Sequence, residues 1–205
     1  MGQEFYKKIY SAQELYVTLH KGLRTMRYML KNKKSKQLTP DFIERIMLAV
    51  TEVNGCEVCS YAHTKIALEH GMSDEEIQSL LSGNTGRIPD DESIAILFAQ
   101  HYADTRGNPT SDSWQRVVEA YGVSKALGIL GTVRAIMIGN VSGIALSALL
   151  SRLRGKPIKK SNFLYEIIMI LDCLIFLPVA FIHGLTSDIF KMPVIRFKET
   201  EEIQH

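Results

Sequence analysis

Apolar residues recur at helical spacing along most of the chain, and this periodicity fixes the fold class. In the first segment they repeat every 3.6 residues on one face, at Leu15, Leu19, Leu23, Met26 and Leu30. Clusters of β-branched residues are short and fall inside such periods, so no segment qualifies as a strand. We therefore predict an all-α fold, with 46% hydrophobic residues among 205 to build its core.

Start and stop signals divide the chain into helices. Ser11 and Glu14 form a capping box, and Thr39-Pro40 opens a second helix that is apolar over most of its circumference. We predict further helices over 57–68, 76–81, 90–103 and 112–121, and a long one over 124–153. Glycines in the long one, at Gly128, Gly131, Gly139 and Gly143, each cost about 1 kcal/mol relative to alanine. They indicate close approach to another helix, or breaks.

The last segment, residues 161–205, is an unusually apolar extension. Between Phe163 and Ile182, Glu166, Asp172 and Pro178 interrupt seventeen apolar residues. About 20 apolar residues can span a bilayer, but a central acidic residue costs roughly 2.5–3.5 kcal/mol there. Pro178 also breaks the run. We predict a core domain of residues 1–160 and a buried helix pair beyond it, packing on the core or on a neighbouring subunit. Membrane association is the alternative.

Residues 44–63 carry the chemistry. Cys56 and Cys59 follow the turn-forming pair Asn54-Gly55 and lie at the start of a predicted helix, where peptide dipoles favour a thiolate. The chain has three cysteines and opens without a signal segment, so we expect a reducing, cytoplasmic location. In that compartment a C-x-x-C pair is typically catalytic or metal-binding.

Zinc binding and simple thiol packing are the alternatives to redox chemistry. The two cysteines and His63 would supply three zinc ligands, but they lie along one helix. His70 would lie about 10 Å further along it at 1.5 Å per residue. A fourth ligand would have to come from a distant residue such as His101 or Cys173. The expected site therefore contains no metal and no cofactor.

The redox interpretation uses every residue of the stretch. His63 follows Cys59 by four residues, so both side chains meet on one helix face and His63 can take the thiol proton. Cys56 lies one turn away, where it can close a disulfide. Glu44, on the preceding apolar helix, is placed to orient His63 or relay its proton. An ion pair between Glu44 and an arginine such as Arg134 is the alternative.

The spacing of these residues resembles a known family signature. Glu44, then Cys56-Glu57-Val58-Cys59 and His63, are similar to the motif of the alkylhydroperoxidase D-like, carboxymuconolactone decarboxylase family. The flanking L-A-V-T-E-V-N-G and E-H-G-M-S-D-E-E-I also resemble it, and a looser likeness covers residues 12–155. The resemblance implies an all-α helical bundle that assembles into trimers or hexamers.

The resemblance also implies a reaction. In peroxidase members the second cysteine attacks the peroxide, so Cys59 would be peroxidatic and Cys56 resolving, with His63 and Glu44 as the proton relay. Helix electrostatics alone would favour Cys56 as the nucleophile, and the histidine favours Cys59. Val58 stands where the best-studied peroxidases have a second histidine. Decarboxylase members generally lack the C-x-x-C pair, so a lyase activity is less expected.

These observations predict an antioxidant thiol-dependent peroxidase or disulfide reductase. Its partners would be a hydroperoxide, a dithiol reductant and further copies of the chain. The alternative is a redox-sensing or disulfide-exchange module with little peroxidase turnover. A net charge of +2 gives no case for nucleic-acid binding.

Overall fold

The computed structural model describes residues 4–84 and 86–197. Within these ranges it contains seven α-helices, one short 3-10 helix at Asp90–Glu92, and no strand. The helices are α1 (Ala12–Lys34), α2 (Pro40–Asn54), α3 (Glu57–Glu69), α4 (Asp74–Leu81), α5 (Ser93–Asp104), α6 (Ser111–Leu153) and α7 (Phe163–Ile189). The predicted all-α fold is confirmed.

The local cap signals act as the sequence indicates. Ser11 and Glu14 form the complete capping box of α1, and Thr39 caps α2 with Pro40 at its first turn. The predicted break at Gly122 is present inside α6, where this glycine has φ 71° and ψ 158°. Only a residue without a Cβ adopts such a conformation at low cost. The N-cap of α6 is Thr110, whose side chain accepts a hydrogen bond from the backbone N–H of Ser113.

Helix α6 is the centre of the bundle and packs against α1, α2, α3, α5 and α7. Its glycines explain how closely α1 approaches. A Cβ atom on Gly131 would lie 2.7 Å from the carbonyl oxygen of Thr25, and one on Gly128 would lie 2.4 Å from the Asn32 side chain. Gly139 differs, because the nearest atom to its added Cβ would be 3.7 Å away.

Helix α7 is one continuous helix, so the predicted helix pair and the predicted break at Pro178 are wrong. A proline inside a helix removes one backbone hydrogen bond, but here both ends of the helix are tied to the core. The buried Glu166 binds Arg152 of α6 at 2.8 and 2.9 Å. Near the other end, Asp188 pairs with Arg24 at 3.0 Å. These contacts hold the helix on both sides of Pro178.

A stripe of α7 faces the core and its remaining surface is exposed. The buried stripe consists of Glu166, Met169, Ala180, Gly184 and Ser187. Helices α6 and α7 are both long and apolar enough to cross a membrane by length and composition. The most apolar 18-residue window of α6 is 61% buried in the structure, whereas the corresponding window of α7 is only 17% buried. Within the described part of the chain, no other element covers the outer face of α7, defined here by Leu164, Leu174, Ile175, Ile182 and Ile189.

Candidate redox site

The turn between α2 and α3 positions the two cysteines. Gly55 ends α2 in the left-handed conformation, with φ 71° and ψ 40°. Cys56 is the N-cap of α3, and its Sγ accepts a hydrogen bond from the backbone N–H of Cys59 at 3.4 Å. The first turn of α3 therefore directs a peptide N–H at a cysteine sulfur, which stabilises negative charge there.

Cys56 and Cys59 are joined as a disulfide, with their Cα atoms 5.3 Å apart. This Cα separation falls in the usual range for disulfides. Cys56 is completely buried, whereas Cys59 is 8% exposed. Cys59 is therefore the more exposed residue of the pair.

The buried carboxylate of Glu44 contacts the partly buried ring of His63. The Nδ1 atom of His63 lies 2.8 Å from Oε2 of Glu44, across the interface between α3 and α2. When the Nδ1–H of a neutral His63 donates a hydrogen bond to the Glu44 carboxylate, the lone pair of the ring lies on Nε2. The alternative partner for Glu44 is wrong, because Arg134 instead donates from Nε to the Tyr102 hydroxyl at 2.7 Å.

The structure joins Cys56 to Cys59 and Glu44 to His63, and it places the distant zinc candidates elsewhere. His101 accepts a hydrogen bond from the backbone N–H of Thr110, and Cys173 lies half-buried on α7. In the part of the chain that the structure describes, no group of three or more histidine, cysteine, aspartate or glutamate residues could hold a metal ion.

The N-terminal segment packs over the turn between α2 and α3, which carries Gly55 and Cys56. This contact was not predicted from the sequence. The backbone N–H of Tyr6 donates to the carbonyl of Gly55 at 2.7 Å, and its hydroxyl donates to Glu57 at 2.6 Å. A Cβ on Gly55 would lie 2.7 Å from the Lys7 nitrogen. Burial, followed by the hydrogen bond to Glu57, raises the pKa of Tyr6 to about 12. Tyr6 therefore acts here as a neutral hydrogen-bond donor.

Gly143 of α6 closes the other side of the disulfide. A Cβ atom at this position would lie 2.9 Å from the Sγ atoms of both Cys56 and Cys59, and 3.0 Å from Val58. Real Cβ atoms do not approach heavy atoms so closely. The spacing of glycines in α6 indicated close approach, but it did not reveal that the neighbour at Gly143 is the disulfide.

Replacing Gly143 with alanine is expected to lower the free energy of unfolding by about 1–3 kcal/mol, because the new methyl group overpacks the disulfide. Gly139→Ala is the matched control, since nothing lies closer than 3.7 Å to its added Cβ. The control is expected to raise the free energy of unfolding by up to about 1 kcal/mol through helix propensity. Urea denaturation measures both. Equal effects of the two substitutions would contradict the close packing at Gly143.

A cavity of about 470 Å³ lies against Glu57 and Val58 of the motif. Tyr61, Leu150, Arg154 and Lys156 contribute apolar and cationic groups to its wall, with Ser147 and Ser151 between them. A ligand-sized cavity beside the C-x-x-C motif is a candidate binding place for a small molecule.

A comparison with protein families agrees with the motif. The motif consists of Glu44, Cys56, Cys59 and His63. Residues 21–85 match the model of the carboxymuconolactone decarboxylase family. The predicted resemblance is thereby confirmed for this segment, which runs from α1 to just beyond α4 and contains all four predicted site residues. No curated protein and no solved structure matches the chain. The roles of the four residues within this carboxymuconolactone decarboxylase segment stay predictions.

Proposed function

We propose that the protein is a thiol-dependent peroxidase that uses Cys56 and Cys59 as a redox pair. The observation that supports this most directly is the arrangement of three groups on two helices. A C-x-x-C disulfide begins α3, a histidine follows one turn later, and a buried glutamate binds that histidine at 2.8 Å. A nucleophile, a base and a group that orients the base are the parts of an activated-thiol site.

In the reduced protein, His63 takes the proton of Cys59. The Cys59 thiolate attacks the terminal oxygen of a hydroperoxide, so the S–O bond forms as the O–O bond breaks. The leaving alkoxide or hydroxide receives a proton from His63 and departs as alcohol or water. Cys59 is then a sulfenic acid, oxidised by two electrons.

Cys56 completes the cycle. Its thiol attacks the Cys59 sulfenic acid, which releases water and forms the Cys56–Cys59 disulfide. A dithiol reductant then attacks the disulfide, passes through a mixed disulfide, and returns both cysteines to thiols as it becomes oxidised itself. The greater exposure of Cys59 makes it the sulfur for the reductant to attack.

The surroundings of the disulfide favour a small oxidant. Cys59 is 8% exposed, so a hydroperoxide reaches it more readily than a folded protein does. The cavity beside Val58 offers space of about 470 Å³ for an alkyl group. We propose an alkyl hydroperoxide as the better substrate, because that cavity contributes Leu150 and Val58 as apolar contacts.

A side-by-side kinetic comparison tests the function. Stopped-flow oxidation of the reduced protein is measured with hydrogen peroxide, an alkyl hydroperoxide and an oxidised dithiol. Fastest reaction with the alkyl hydroperoxide, with a mass loss of two hydrogens per chain, is the expected result. Fast reaction with the oxidised dithiol and negligible reaction with either peroxide would contradict the proposal. That outcome would identify the protein as a disulfide-exchange or redox-sensing module.

We also propose that the outer face of α7 is buried against a second copy of the chain. This face stays apolar over a helix of 27 residues, about 40 Å long at 1.5 Å per residue. Helices that are apolar on all sides are normally covered. In a two-fold interface the same surface of each subunit contacts the other. Two identical apolar faces can pack in this way because apolar contacts require no complementary charge.

Leu174→Glu is expected to convert the oligomer into monomers, because it places a charge in the centre of this interface. Leu174 is 68% exposed in one subunit, so the substitution leaves the fold intact. Val123→Glu, at an exposed position on α6 away from α7, is the control. Sedimentation velocity measures the state of each. A monomeric wild-type protein that binds lipid vesicles through Leu174 would contradict the proposal and favour membrane association.

A further inference from the structure

A cavity of about 520 Å³ lies away from the disulfide. It is bounded by α1, the middle of α6, and the end of α5 with the loop that follows it. Tyr10, Tyr102, Val17 and Met137 supply most of its apolar wall. A cavity of this size accommodates a small organic molecule. The proposed peroxidase chemistry makes no use of it.

The charges at this cavity do not balance. Lys21, Arg106 and Arg134 line it, and Glu14 is the carboxylate in its wall. Glu14 is already engaged, since it accepts from Arg106 at 2.6 Å and from the Ser11 backbone at 2.7 Å. Lys21 and Arg134 therefore remain as two cations that the wall does not neutralise.

Lys21 and Arg134 are bound by neutral groups. Lys21 donates to the carbonyl of Gly107 at 2.8 Å. Arg134, which is 2% exposed, donates to the Tyr102 hydroxyl and to the Val194 carbonyl. Within residues 4–84 and 86–197, neither forms an ion pair with a carboxylate. A buried charge without a counter-ion is costly.

The protonation of Lys21 reflects the same excess of positive charge. Burial, with the neighbouring charges of Arg134 and Arg196, lowers the pKa of Lys21 to about 8. A bound anion would offset the repulsion from the two arginines, because it supplies the opposite charge that the cavity wall lacks. The Tyr102 hydroxyl accepts from Arg134 and keeps its own proton to donate to such an anion.

We propose that this cavity binds a small organic carboxylate. Lys21 and Arg134 would contact the carboxylate group, together with the Tyr102 hydroxyl, while the body of the ligand lies against Val17, Tyr10 and Met137. The planar guanidinium of an arginine suits a carboxylate. The apolar wall and the volume favour an organic acid over an inorganic ion.

The cavity is connected through Asn54 to the turn between α2 and α3. Two of its wall residues bind this side chain: the Tyr10 hydroxyl donates to Asn54 Oδ1 at 2.7 Å, and Asn54 Nδ2 donates to the sulfur of Met137 at 3.2 Å. Asn54 precedes Gly55 and Cys56 directly. A ligand that orders Tyr10 or Met137 therefore acts on residues that hold the start of α3.

Isothermal titration of the full-length protein with benzoate, and with benzamide as the neutral isostere, tests the site at pH 7 and low ionic strength. Benzoate is expected to bind at least about tenfold more tightly than benzamide, because charge-assisted hydrogen bonds are the stronger ones. Lys21→Gln is expected to weaken benzoate binding by roughly tenfold. Lys33→Gln, an exposed lysine on the same helix, is the control and is expected to leave it unchanged.

Three results would overturn the proposal. Equal binding of benzoate and benzamide would show that charge plays no part. Binding of inorganic phosphate as tight as that of benzoate would exclude an organic ligand. A tenfold gain in benzoate affinity on joint substitution of Glu199, Glu201 and Glu202 by glutamine would show competition from the chain's own acidic residues. None of these readouts depends on peroxidase activity.

Discussion

Replacing Cys59 with serine is expected to lower peroxide-dependent thiol consumption by roughly 10³-fold or more, because the substitution removes the attacking sulfur. Serine has nearly the same size, so the fold around the site is kept. A coupled assay that follows consumption of a dithiol in the presence of an alkyl hydroperoxide measures the loss. Mass spectrometry of the variant after exposure to peroxide should show no loss of two hydrogens.

Two further variants make this result specific. Cys173→Ser alters the free, half-buried thiol on α7 and should leave turnover unchanged. Cys56→Ser should allow one oxidation of Cys59 but block formation of the disulfide, so a sulfenic acid becomes detectable with dimedone, a carbon nucleophile that traps sulfenic acids. If Cys59→Ser kept its turnover and Cys56→Ser lost it, Cys56 would be the nucleophile, as helix electrostatics alone would favour.

His63→Ala has the second largest expected effect. It is expected to lower kcat/KM for the peroxide by about 10²- to 10⁴-fold, since it removes the proposed general base. Glu44→Gln keeps the shape of the side chain and removes its charge, so a smaller loss of roughly 10- to 100-fold is expected. His70→Ala, an exposed histidine at the end of α3, is the control.

The double variant of Glu44 and His63 decides whether the glutamate acts through the histidine. If it does, Glu44→Gln in the His63→Ala background should have almost no further effect on kcat/KM, and the two losses will not add. Additive losses would mean that Glu44 acts on the site independently of His63. A pH profile of the single Glu44→Gln variant separates this role from a loss of stability, because an altered base shifts the profile.

The local signals in the sequence predicted the helices well because those signals act over a few residues. The capping box of Ser11 and Glu14, the Thr39-Pro40 start and the break at Gly122 each depend on neighbours along the chain. Pro178 shows the limit of that reasoning. Its local preference to end a helix is outweighed by contacts of Glu166 and Asp188 with distant arginines, which no local pattern reveals.

The candidate site likewise contains residues that local sequence patterns predicted and residues that they did not. Four of its residues were predicted, since the Cys56, Cys59 and His63 spacing is local to one helix and Glu44 interrupts the apolar surface of the preceding helix. The packing of Tyr6 and Gly143 against the same turn was not predicted, because each meets it through the tertiary fold. The oligomeric state, the division at residue 160 and the cytoplasmic location stay predictions, as no contact within one chain decides them.

The contacts of Tyr6 and Gly143 have a consequence for how the site is assembled. Residues 21–85 match the family, yet the walls around the disulfide come from residue 6 on one side and residue 143 on the other. A polypeptide cut to the matching segment would carry all four proposed reactive residues without the surfaces that enclose them. The enclosure around the Cys56–Cys59 pair is therefore complete only after the ribosome has synthesised α6 as far as Gly143.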